Sequence, residues 1–182
     1  MPGRRSVWGS VAVCVTVGIV AGAGLRLLPS SPSGRLVDPE LARGVPTLLS
    51  PSELARLARS DERRLFWLGR LEGRALEVTD GGAQGLFVRY VPVRPGNEPR
   101  SPSTTVATYP VKRAYPIAVR SGRARDAVTE RLGSGAVAVW RRSRPTNVYV
   151  AFRGAEVLVE VFDPQPARAL DLARSGRLAP AG

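Results

Sequence analysis

Hydrophobic and polar positions divide the chain into an apolar opening and a longer mixed tract. From Val7 to Leu25 the sequence VWGSVAVCVTVGIVAGAGL carries no charge, with Arg4 and Arg5 before it and Arg26 after it. At helical rise this length matches a hydrocarbon core about 30 Å thick. Two readings follow. As a transmembrane anchor, the stretch keeps its N-terminus in the cytoplasm behind the two arginines. As a signal peptide, it has a short core, Val11 to Val20, and a small-residue cleavage site ending at Ala23. Both place the remainder of the chain outside the cytoplasm, single-pass in the cell membrane or secreted. Ser10, Cys14, Gly18 and Gly22 recur every fourth residue, so Gly18 and Gly22 are candidates for close helix–helix association of the anchor.

Residues 28–49 are rich in Pro, Ser and Gly and read as a linker after the 1–27 anchor. Ser50-Pro51-Ser52-Glu53 then has the form of a capping box with proline at the first helical position, which predicts a helix to about Ser60. Strands dominate from there. The expected ones are Arg64–Leu68, Arg74–Thr79, Gly85–Val91, Thr104–Tyr109, Ala136–Trp140, Asn147–Phe152 and Ala155–Phe162. Asp80-Gly81-Gly82 marks a turn between two of them. In the last strand Val157, Val159 and Val161 face one way; Glu156, Leu158, Glu160 and Phe162 face the other. Pro116 and Ser121-Gly122 break the middle of the chain, so a helix is expected only around Arg123–Leu132. A final helix is expected at Ala167–Arg174, with Gly176 as its stop. The sum is one α+β domain over 50–182: a mostly antiparallel β-sheet with a few short helices packed to one side.

Composition narrows the chemistry. The formal net charge is +12. Three arginines flank the apolar stretch, which leaves +9 on the outer part, nearly all of it arginine. Such a balance favours anionic partners: anionic lipid, an envelope polymer, or, least suitably for an exported domain, nucleic acid. There is no histidine, and the one cysteine, Cys14, lies in the apolar stretch. Zinc sites built on His or Cys, Cys- or His-based nucleophiles and disulfides are therefore excluded from the outer domain. No metal, no cofactor and no catalytic residue set is expected.

The blocks Leu65-Phe66-Trp67-Leu68-Gly69, Phe87-Val88-Arg89-Tyr90-Val91-Pro92, Thr108-Tyr109-Pro110, Asn147-Val148-Tyr149-Val150-Ala151-Phe152 and Val159-Glu160-Val161-Phe162-Asp163-Pro164 resemble an uncharacterised family of N-terminally anchored envelope proteins of high-G+C bacteria. The likeness covers about the last 120 residues and implies membrane attachment and export, with no activity assigned. The chain departs from it at Pro116, where the family reads as plain helix.

Two function classes remain. One is a non-enzymatic binding or accessory module for an anionic envelope component or a partner protein. Its candidate anion-binding residues are Arg141, Arg142 and Arg144, expected together at the turn between two strands, where forked guanidinium donors suit phosphate oxygens. The other is a carboxylate-based hydrolase or transferase using Glu156, Glu160 or Asp163. Glu156 and Glu160 share a strand face. Convergence of acidic side chains in a deep cleft would favour this second class.

Overall fold

The structure, a computed structural model, describes residues 41–60, 64–93 and 102–182. Leu36–Gly182 form one compact unit. Its frame is an eight-stranded sheet in the order β1-β3-β4-β5-β9-β8-β7-β6, every neighbouring pair antiparallel. The strands are β1 (Thr47–Leu49), β3 (Arg74–Asp80), β4 (Leu86–Pro92), β5 (Thr105–Pro110), β6 (Ala127–Arg131), β7 (Val137–Arg141), β8 (Arg144–Ala151) and β9 (Val157–Phe162). A second, two-stranded pair joins β2 (Phe66–Trp67) to β10 (Ala179–Pro180). Among the described residues three α-helices accompany the strands: α1 (Pro51–Ser60), α2 (Ala114–Ser121) and α3 (Pro166–Arg174). The α+β class holds. The chain runs as two meanders, β3-β4-β5 followed by α2 and β6-β7-β8-β9 followed by α3, joined at the centre by β5 and β9. Strand β1 lies in the stretch read as linker; Leu49 sits opposite Leu76 and is buried with it.

Local chemistry explains most boundaries. The capping box forms at α1: Glu53 N–H donates to Ser50 Oγ at 3.2 Å, and Ser50 N–H donates to Glu53 Oε2 at 2.7 Å. Hydrogen bonding from Ser50 to the Glu53 carboxyl, first from the hydroxyl and then from the backbone N–H, holds that carboxyl below its ordinary pKa. The β3–β4 turn closes through Gly81 N–H to Gly85 O at 2.8 Å. Gly85 has φ +103° and passes so close to β5 that a Cβ would stand 2.2 Å from Thr108 O, so only glycine fits.

The period-2 pattern decides which side of the sheet is the core. Val78, Val88, Val106, Val148, Val150, Val159 and Val161 are all fully buried on one face. Covering them are Leu54 and Leu57 of α1, Ala169 and Ala173 of α3, and Leu65, Phe66, Leu68, Leu178 and Ala181 around the β2–β10 pair. Two sheet side chains tie that pair down: Tyr90 Oη accepts from Leu68 N–H at 2.7 Å, and Thr108 Oγ1 accepts from Phe66 N–H at 3.0 Å.

Two expectations are corrected here. The helices do not all pack to one side. Ala114 and Ala118 of α2 bury against Val137, Val139 and Ala151, which alternate with Ala138, Val148 and Val150 and therefore face away from the main core. The helix expected at Arg123–Leu132 is also displaced. The helix is Ala114–Ser121, and Ala127–Arg131 is the edge strand β6. Pro116 falls in the first turn of α2, where its missing N–H has no intrahelical acceptor to lose; the next residue already bonds back, Ile117 N–H to Arg113 O at 3.2 Å. Gly122 closes the helix, its N–H donating to Ala118 O at 2.9 Å. The β-branched Val128 and Thr129 then pair with β7.

Candidate anion-binding surface

The β7–β8 hairpin is tighter than the basic turn expected at Arg141–Thr146. Arg141 and Arg144 end the two strands opposite one another, and Arg142-Ser143 make the turn. All three candidate arginines are exposed. The turn leans on the 122–126 segment behind α2. Arg142 N–H donates to Asp126 O at 2.9 Å, and Arg142 Nη1 donates to Arg125 O at 3.3 Å. Ser143 Oγ bonds Asp126 Oδ2 at 3.3 Å, and Arg141 Nη1 pairs with Asp126 Oδ1. The Asp126 carboxylate thus holds Arg141 and Ser143, while the Arg142 guanidinium rests on the Arg125 carbonyl. The Arg141–Asp126 pair is close to half exposed on both sides, so its worth lies in placing Arg141 and not in stability.

Exposed basic side chains continue in sequence beyond the hairpin. Between Lys112 and Arg144 the chain carries nine basic side chains (Lys112, Arg113, Arg120, Arg123, Arg125, Arg131, Arg141, Arg142, Arg144) and two acids, Asp126 and Glu130. Every one of the nine is exposed. Sequence reading found the hairpin arginines and missed those of α2. Their helical spacing was hidden by treating Pro116 as a break.

The carboxylates do not converge. Glu160 points to the outward face beside α2, where Tyr109 Oη donates to Oε2 at 2.5 Å and Asn147 Nδ2 donates to Oε1. Burial, and then the nearby Glu160 charge, raise both neighbouring phenols, Tyr149 to about 12 and Tyr109 further. Arg89 and Glu77 pair across β4 and β3 on the same face at 2.6 Å. Asp163 is buried on the opposite side. Its Oδ2 accepts from Thr104 Oγ1 at 2.6 Å, and its Oδ1 accepts from Gln165 N–H at 2.9 Å at the start of α3. Glu156 is exposed before β9. Among the described residues no group of three or more His, Cys, Asp or Glu side chains is placed to hold a metal ion.

Two shallow hollows open on the surface. One of about 160 Å³ lies between α3 and the β6–β7 turn, against Phe152, Ala173 and Leu178. The other, of about 320 Å³, is lined by Tyr115, Pro116, Val119, Arg120 and Arg123 of α2 and its exit. Neither holds a carboxylate. The anchor at Val7–Leu25, with Gly18 and Gly22, lies outside the described residues. Among the described residues no helix is long and apolar enough to cross a membrane. Compared with protein-family models, with curated proteins and with solved structures, the chain matches none.

Proposed function

We propose that this protein is a non-enzymatic binding module that works outside the cytoplasm, held at the cell membrane by Val7–Leu25, and that its ligand is an anionic component of the cell envelope. The observation that carries the reading is the exposed basic surface from Lys112 to Arg144. Nine cations against Asp126 and Glu130 set up a positive potential that gathers polyanions. The hairpin gives that potential a rigid end, since Arg141 and Arg144 sit on paired strands and Arg142 on the turn between them. The export reading rests on the uncharged stretch behind Arg4 and Arg5 and on the likeness of the strand blocks to anchored envelope proteins. The scatter of Glu156, Glu160 and Asp163 over both sides of the sheet gives a carboxylate-based reaction no shared centre.

Two measurements test the reading. Protease added to intact protoplasts should digest the domain of the full chain; protection until lysis would refute the location. The unit 36–182, which closes its own core, should be retained on immobilised polyphosphate and sediment with phosphatidylglycerol vesicles at low salt, and do neither at high salt. Changing Arg141, Arg142 and Arg144 together to Ser should abolish salt-sensitive retention with the melting temperature unchanged. Retention equal to the parent would show that the hairpin is not the contact.

A further inference from the structure

Helix α2 lies on the face of the sheet away from the main core. Its inward residues are small, Ala114 and Ala118, both buried against Val137, Val139 and Ala151. Pro116 and Ile117 are exposed, Ile117 at 41%. Exposed Arg120 stands three residues after Ile117, the spacing that places both on one helix surface, and exposed Arg113 stands at the N-cap just before the helix. Half-buried Val119 and Tyr115 line the hollow that continues to Arg120 and Arg123. Arg153 lies over the Tyr115 ring at 4.6 Å from its centroid, adding a further cation at this edge. Three other large apolar side chains are exposed among the described residues: Val45, Leu48 and Val93. They belong to segments at β1 and the end of β4, toward the opposite edge of the sheet. Ile117 is the one surrounded in sequence by cations.

An apolar residue and an aromatic ring ringed by arginine and lysine is the composition of an element that lies in a membrane interface. A soluble polyanion would use the cations and leave Ile117 in water. We propose that α2 is the edge by which the domain lies on an anionic lipid leaflet, Pro116 and Ile117 entering the headgroup layer while Lys112, Arg113, Arg120 and Arg123 take the phosphates. This rests on the proposed membrane tether and names the anionic component as lipid. A membrane tether would hold the domain near its own leaflet and supply the high local headgroup concentration at which weak, multiple contacts suffice.

The test compares Ile117→Ser, Ile117→Trp and Arg120→Ser/Arg123→Ser in the unit 36–182. The probes are phosphatidylglycerol vesicles and immobilised polyphosphate. Ile117→Ser should partition to vesicles about tenfold more weakly than the parent and be retained on polyphosphate equally well. Each arginine removed should weaken vesicle binding about fivefold. Ile117→Trp should bind vesicles and gain fluorescence quenching by brominated lipids over the parent's Trp67 and Trp140 background. Equal vesicle binding by Ile117→Ser, or an Ile117→Trp that binds without added quenching, would overturn the proposal while the anion-binding reading stood. Polyphosphate retention with no vesicle binding would overturn it in favour of a soluble polyanion. Failure of the parent on both probes would sink the anion-binding reading as well.

Discussion

Tyr90 is fully buried on β4, and its Oη is the acceptor for the Leu68 backbone N–H at 2.7 Å. With Thr108 Oγ1, which accepts from Phe66 N–H, it hangs the β2 segment on the sheet. Tyr90→Phe keeps the ring and deletes the acceptor. The Leu68 N–H is then buried without a partner, a cost of about 1–3 kcal/mol. With a urea m-value of about 2 kcal/mol/M, a loss of about 2 kcal/mol lowers the midpoint by about 1 M. Intrinsic tryptophan fluorescence is a direct probe, because Trp67 lies in the affected strand. Tyr109→Phe is the matched control. Its hydroxyl donates to Glu160 on a half-buried face, so water replaces the lost partner and the cost stays below about 1 kcal/mol.

The same residue predicts an alkaline limit. Burial pushes the Tyr90 phenol up to about 12. A raised folded-state value means the neutral phenol is favoured in the fold. This contribution is therefore fully present below the unfolded value near 10 and is lost as pH climbs toward 12, at about 1.4 kcal/mol per pH unit. Stability of the parent should fall more steeply above pH 10 than that of Tyr90→Phe. Equal urea midpoints at pH 7, or parallel alkaline slopes, would refute the account of this hydrogen bond.

Other positions give sharper yes-or-no results. Ala169→Asp puts a charge under α3 where no side-chain surface is exposed and should cost about 3 kcal/mol or more, whereas Leu170→Asp, only partly buried, should cost less; denaturant midpoints that rank them the other way would refute the face assigned to α3. Gly85→Ala should destabilise by about 2 kcal/mol or more, since the new methyl meets Thr108 O and the φ of +103° disfavours a side chain; an unchanged melting temperature would show that β4 and β5 can move apart. Asp163→Ala strips partners from Thr104 Oγ1 and Gln165 N–H and should cost about 2–4 kcal/mol by urea denaturation. The melting temperature of the unit 36–182 should be the same with and without a chelator, and a drop of several degrees would reveal a bound cation.

Wherever one segment's own surroundings set its pattern, the sequence alone was sufficient. The Ser50–Glu53 box starts α1 because both partners lie within one turn. The alternation of Val157, Val159 and Val161 with Leu158 and Glu160 separates buried from half-buried positions because a strand turns successive side chains to opposite faces. Gly176 closes the chain after α3 with φ +71°, a local demand that glycine meets.

Non-local choices were settled only by the tertiary structure. Ala127–Arg131 has no strong period of its own; it is a strand because β7 offers an unpaired edge. Once α2 ends at Gly122, Pro116 is a first-turn residue and no longer a break. Which face α2 covers depends on Val137, Val139 and Ala151, from two strands that the turn at Arg142-Ser143 brings together. Glu160 meets Tyr109 and Asn147 because β9 pairs with β5 on one side and β8 on the other. The hairpin arginines lie beside the segment that follows α2 because Arg142 bonds the backbone carbonyls of Asp126 and Arg125. Hydrophobic period records the environment along one segment, and pairing between distant segments decides what that environment contains.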